Sequence, residues 1–229
     1  MVGTTSVRGR RHTDDLWASI ETVYGEILAH PFIQGLTDGS LGRDSFRFYV
    51  VQDALYLVEY ARALSVAAAR APDADGILLF ARNAAGAIEV ERALHEEFFR
   101  DFGLSEDEVR ATPPAPTNLA YTSYLLATVH GGSFAEGLGA LLPCFWIYRE
   151  VGRTLLDRGS PEPLYARWIE TYGGEEYGAI VEDVLQLAEG VAAELGETER
   201  RRMREHFVQT SRYEWMFWDM GYRREAWPV

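Results

Sequence analysis

The sequence predicts an all-α protein folded as a single-domain helical bundle, and three observations carry that prediction. Apolar residues recur at three- and four-residue spacing almost throughout the 229 residues. Alternating Val-, Ile- and Thr-rich runs of the kind that build strands are absent. The composition, 47% hydrophobic and 13% aromatic with only 9 Pro, offers ample apolar surface to bury, and the length suits one compact unit.

The first helix is expected to start at Thr13 or Asp14 and to run through Trp17, Ile20, Tyr24 and Ile27 to near His30, because Pro31 disfavours helical geometry in the residue before it. Residues 1–13 are expected to be a flexible N-terminus, and 14–229 the helical domain. A compact loop over 30–41 follows. Asp44 is placed to cap a long helix over 45–70, which Ala-Pro-Asp-Ala-Asp at 71–75 closes. A fourth segment, 76–102, has the same helical period. Thr-Pro-Pro-Ala-Pro-Thr at 112–117 is the clearest break, and with 101–110 it separates two helical halves without being long enough for a domain linker. Helices are then expected over 118–129, 134–157, 163–172, 175–194 and 198–221, punctuated by the Gly pairs at 131–132 and 173–174.

Lys plus Arg total 22 against 35 Asp plus Glu, a formal net charge of -13. That balance argues against a nucleic-acid backbone or an anionic membrane as partner and favours a small uncharged or cationic ligand. The opening segment has basic residues but lacks the apolar stretch of a secretion signal, and no later run approaches the ~20 apolar residues that span a bilayer. A soluble, cytoplasmic protein is expected. The single cysteine, Cys144, excludes an internal disulfide and leaves that thiol either an inert core group or a reactive one.

Polar side chains interrupt three stripes that are otherwise apolar. Tyr49, Asp53, Tyr56 and Tyr60 are spaced by four, three and four, so one helix face presents a carboxylate among phenols. Burial there is costly unless the carboxylate bonds to a neighbouring tyrosine or serves a ligand, and both readings stand. Gly137, Leu141, Cys144, Tyr148 and Val151 form the second stripe, and Pro143 within it should disturb the hydrogen-bond ladder just before the thiol. The third carries Phe207, Ser211, Glu214 and Trp218, where a desolvated Glu214 would suit a general acid, or would instead pair with Arg149 or Arg212. Tyr121, Tyr124 and Tyr172 read on their own as packing residues. The histidines at 12, 30, 95, 130 and 206 have no close ligand spacing, and Glu89, Glu91 and Glu96 near His95 read as a solvated face, so no metal site is expected.

Six segments taken together resemble one known family. They are His-Pro-Phe-Ile-Gln-Gly-Leu at 30–36, Phe-Tyr-Val-Val-Gln-Asp-Ala-Leu-Tyr-Leu at 48–57, Ala-Tyr-Thr at 120–122, Leu-Pro-Cys-Phe-Trp-Ile-Tyr at 142–148, Trp-Ile-Glu-Thr-Tyr at 168–172 and Ser-Arg-Tyr-Glu-Trp-Met-Phe-Trp-Asp at 211–219. In this order they resemble the TenA/thiaminase II family, in its cysteine-containing branch, from about Leu16 to Tyr222.

The resemblance implies a haem-oxygenase-like bundle without haem, no cofactor, and a homotetramer. It implies an aminopyrimidine aminohydrolase that converts 4-amino-5-aminomethyl-2-methylpyrimidine to the hydroxymethyl pyrimidine and ammonia, and cleaves thiamine to pyrimidine and thiazole, in thiamine salvage. Carried over by motif, Cys144 matches the nucleophile, Glu214 the proton donor, and Tyr56 the tyrosine that activates the thiol. Asp53, Tyr148 and Tyr172 match substrate-holding positions, and Tyr121 a further pocket tyrosine. Two other classes remain as alternatives: an oxidase on the same fold, like the pyrroloquinoline quinone synthesis protein C or a di-iron relative, and a non-catalytic pyrimidine-binding protein.

Overall fold

A computed structural model describes residues 11–229, apart from the side chains of residues 90–96 and 106. Among the described residues every regular element is a helix, in the order α1 (His12–Ala18), α2 (Glu21–Ala29), α3 (Pro31–Asp38), α4 (Arg43–Arg70), α5 (Ala74–Phe102), α6 (Glu106–Ala111), α7 (Pro116–Gly131), α8 (Phe134–Leu156), α9 (Pro163–Gly173), α10 (Glu175–Glu194) and α11 (Glu197–Arg223).

Helix α8 is the axis of the molecule. All its residues from Gly137 to Arg149 are buried, and α4, α7, α9, α10 and α11 pack around it. A helix apolar on every side belongs inside a bundle, and Gly-Leu-Gly-Ala-Leu-Leu-Pro-Cys-Phe-Trp-Ile at 137–147 brings no charge to a surface. Two glycines set how close its neighbours come. A Cβ on Gly139 would lie 2.3 Å from the Met203 carbonyl oxygen, so α11 crosses α8 backbone to backbone. A Cβ on Gly152 would lie 2.4 Å from the Gly173 nitrogen, so the end of α9 does the same. These crossings bring the stripes of α4, α8, α9 and α11 to face one another.

The expected helices over 45–70, 76–102, 118–129, 134–157, 163–172, 175–194 and 198–221 all appear, with ends shifted by a few residues. Four local expectations are corrected. The single first helix is two: the Ser19 hydroxyl donates to the Leu16 carbonyl at 2.6 Å, the Ile20 amide donates to Trp17 at 3.0 Å, and this tightened turn ends α1 before α2 restarts. The segment over 30–41 is largely a helix, because Pro31 supplies its pre-set φ at the first position, His30 Nδ1 accepts from the Phe32 amide at 3.1 Å, and Gly39 closes it at φ 77. Asp44 is not the cap of α4; Gly42 is, and Asp44 sits in the first turn, where its charge meets the positive helix end. Finally, the separator after α5 contains α6, started by Ser105, whose hydroxyl accepts from the Glu108 amide while the Glu108 carboxylate accepts from the Ser105 amide. Helix α1 begins beside α10, where the Glu189 carboxylate accepts from the His12 and Thr13 amides.

Candidate active site

A cavity of about 380 Å³ opens between α4, α5, α8, α9 and the start of α10. Its buried part is walled by Asp53, Leu57, Tyr60, Leu64, Cys144, Phe145, Tyr148 and Tyr172, and its mouth by exposed residues that include Glu170, Glu175, Glu176 and Ile180. Four of the seven residues singled out in the sequence, Asp53, Cys144, Tyr148 and Tyr172, therefore line one space. Glu214, Tyr56 and Tyr121 do not line it; they form a buried layer behind the sulfur.

Cys144 reaches the cavity from the turn after Pro143, and α8 runs unbroken through that proline. Burial pushes its thiol well above the ordinary value, and the Glu214 and Asp53 charges push the same way, while the Tyr56 and Tyr60 hydroxyls favour the thiolate. Burial and charge both favour the protonated thiol, and any attack by sulfur requires a place for that proton.

Glu214 is the buried acid whose charge acts on that thiol. Its carboxyl is buried among aromatic rings, and the Tyr121 hydroxyl donates to its Oε1 at 2.6 Å. Desolvation raises its pKa from 4.5 to about 8, opposed by the Tyr121 bond and assisted by the charge of Asp53. The arginine pairing left open by the sequence does not occur: Arg149 bonds Glu150 at 2.8 Å and reaches Glu182 at 3.5 Å, and Arg212 is exposed. A carboxyl that titrates near neutrality can both accept and return a proton. The Tyr56 hydroxyl is buried beside Cys144 and Tyr121 and favours the ionised forms of both. A buried hydroxyl next to a sulfur can donate to a negative charge there.

Rings complete the pocket. Tyr148 lies 5.0 Å from Tyr172 and 5.2 Å from Trp218 between centroids, and its hydroxyl shares a 3.2 Å hydrogen bond with Tyr49. Trp168 packs 4.8 Å from Tyr172. Tyr213 stacks on Tyr121 at 5.1 Å and 9°, which fixes the ring that holds Glu214. Burial keeps Tyr56, Tyr121 and Tyr148 neutral by raising each well above the ordinary phenol value. An apolar slot with one carboxylate, one thiol and several neutral phenols suits a flat heterocycle that carries donors on its edge.

Tyr177 and Asn83 also line the cavity and went unnoticed in the sequence, and Tyr60 was noticed only as part of a stripe. Tyr177 sits in the first turn of α10 behind the Gly pair at 173–174, a place with no periodic signal of its own. Among the described residues no group of three His, Cys, Asp or Glu side chains could hold a metal ion; the side chains of Glu91, His95 and Glu96 lie outside the described residues.

The TENA/THI-4/PQQC family model matches residues 17–224. The chain is 44% identical over 198 residues to the aminopyrimidine aminohydrolase of Bacillus subtilis (strain 168), covering 86% of this chain and 84% of the relative. It superposes on a TenA homologue from P. horikoshii OT3 with a TM-score of 0.87 and 31% identity, covering 93% of this chain and 99% of the other. A Shewanella denitrificans domain with a heme oxygenase-like fold, 14% identical, superposes with a TM-score of 0.73 over 93% of this chain and 92% of the other, which shows the shared fold.

Proposed function

Because this chain belongs to the TENA/THI-4/PQQC family, we propose that it is an aminopyrimidine aminohydrolase, a hydrolase of C–N bonds that releases ammonia from 4-amino-5-aminomethyl-2-methylpyrimidine, and thiazole from thiamine, in thiamine salvage. The observation that carries the reading is the placement of Glu214, poised near neutral pKa, behind a cavity-lining thiol and beside the Asp53 carboxylate.

In this mechanism the ring lies against Tyr148 and Tyr172 while Asp53 accepts from its amino group or a ring N–H. The Cys144 sulfur bonds to a ring carbon as its proton passes to Glu214, and the ring electrons expel the exocyclic nitrogen. The amine takes that proton from Glu214 and leaves as ammonia, whereas the thiazole of thiamine leaves as a neutral base and the proton passes to solvent. Water then adds to the exocyclic carbon and gives its proton to Glu214; the C–S bond breaks, the ring is restored, and the departing sulfur takes the proton back. Tyr56 donates to the sulfur while it carries charge. Cytoplasmic residence and a homotetramer go with the reading, the latter checked by light scattering; no helix among the described residues is long and apolar enough to cross a membrane.

The test is incubation of purified protein with the aminomethyl pyrimidine and with thiamine, with the hydroxymethyl product followed by chromatography and ammonia assayed. Release of ammonia by the wild type, and its loss in Cys144→Ala and Cys144→Ser, is expected. Near wild-type release by either variant overturns the covalent mechanism, and binding without release, or oxygen uptake, overturns the hydrolase.

A further inference from the structure

Tyr60 and Tyr177 both line the cavity and both bond their hydroxyls to the main chain of α8, the Tyr60 hydroxyl also favouring the Cys144 thiolate. Tyr60 donates to the Leu141 carbonyl at 2.9 Å. The Tyr177 hydroxyl lies 3.2 Å from the Cys144 carbonyl oxygen and 3.3 Å from that of Phe145, donating to the pair. These three carbonyls bracket Pro143.

The proline explains why outside donors are useful there. Pro143 has no N–H, so the Gly139 carbonyl one turn earlier loses its ladder partner, and the proline ring crowds it. The turn that carries Cys144 is thus the one where α8 is least able to hold its own geometry. Helix carbonyls elsewhere need only the amide four residues on. Here two phenols, from α4 and α10, add bonds from opposite sides of the proline. Each also touches a ring of the site: Tyr60 stacks on Tyr56 at 5.5 Å and 19°, and Tyr177 meets Tyr172 edge-on at 5.3 Å and 89°.

We infer that Tyr60 and Tyr177 are positioning residues, which pin the proline turn of α8 so that the Cys144 sulfur faces the cavity. The inference rests on the reading of Cys144 as the nucleophile. A bond to sulfur forms only from a narrow range of approach, so a turn free to rock by a fraction of an ångström costs rate rather than binding.

The experiment uses Tyr177→Phe and Tyr60→Phe, which keep the rings and remove only the hydroxyls, each made alone and together with Pro143→Ala. For Tyr177→Phe, kcat falls roughly fivefold to tenfold, the range of one lost hydrogen bond, with KM within about twofold. Amide exchange read by mass spectrometry quickens in residues 140–149 and not along the rest of α8. With alanine at position 143 the ladder bond is restored, and the same loss of hydroxyl costs less in kcat and in exchange. A kcat within about twofold of wild type for both variants overturns the inference. So does a cost undiminished in the Pro143→Ala background, or a quickening spread over all of α8, since either describes general packing. If the wild type shows no turnover, the proposed function fails first, and exchange in the four variants still decides whether the hydroxyls pin this turn.

Discussion

Tyr121 on α7 gives its hydroxyl to Glu214 on α11 across 2.6 Å, and neither residue lines the cavity. The pair is buried, and the Tyr121 ring is stacked on Tyr213. The bond favours the carboxylate, burial favours the acid, and burial wins, which leaves Glu214 near 8.

Replacing Tyr121 by Phe removes the only one of these influences that lowers Glu214. The limb of the kcat/KM profile governed by Glu214 should move to higher pH, with a loss of roughly tenfold at neutrality. A profile that keeps its shape while falling would show that the bond serves packing alone.

Asp53→Asn should move the same limb the other way, because the Asp53 charge raises Glu214 and its removal lowers it. The ring also loses an acceptor, so KM for the aminopyrimidine should rise roughly tenfold. Steady-state kinetics over a pH series checks both at once, and limbs moving in one direction in the two variants would refute the shared origin.

Glu214→Gln should cost roughly a hundredfold or more in kcat and should change how stability depends on pH. A raised pKa in an acid means that the folded chain keeps a proton that the unfolded chain releases between 4.5 and about 8. Fewer protons on the unfolded state make stability fall as pH rises through that window. The Gln variant lacks this loss, so its midpoint in urea should gain on the wild type from the acid to the alkaline end. Parallel midpoints across the window would contradict a buried acid.

Gly152→Ala places a methyl 2.4 Å from the Gly173 nitrogen, with backbone and not a flexible side chain in the way. A cost of about 1–3 kcal/mol is expected from overpacking. Because Tyr172 belongs to the displaced strand of contacts, KM should rise as well. Thermal unfolding and kinetics together test it; an unchanged melting point would mean that α9 moves freely against α8.

The bundle was legible because its helices carry unbroken apolar stripes, and the run over 137–147 had nowhere to go but the centre. Asp53, Cys144 and Glu214 stood out because each interrupts such a stripe at a cost that demands an explanation. The short elements were not legible for the opposite reason. The ends of α1 and α3 depend on a serine hydroxyl bonding backwards and on a histidine nitrogen acting as a cap, bonds with no periodic signature. Tyr177 was missed because a lone tyrosine in a first turn looks like any packing residue until α8 is laid beside it. The partner of Glu214 was invisible too, since 93 residues separate it from Tyr121.

Where α8 meets α9, main chain touches main chain at Gly152 and Gly173. No side chain lies between them to be enlarged, trimmed or rotated, so the breadth of the slot beside Tyr172 is not adjustable by ordinary substitution. Altered preference among ring substrates has to come from the residues hung on those helices. Efforts to re-engineer selectivity should therefore vary the walls and leave the frame alone.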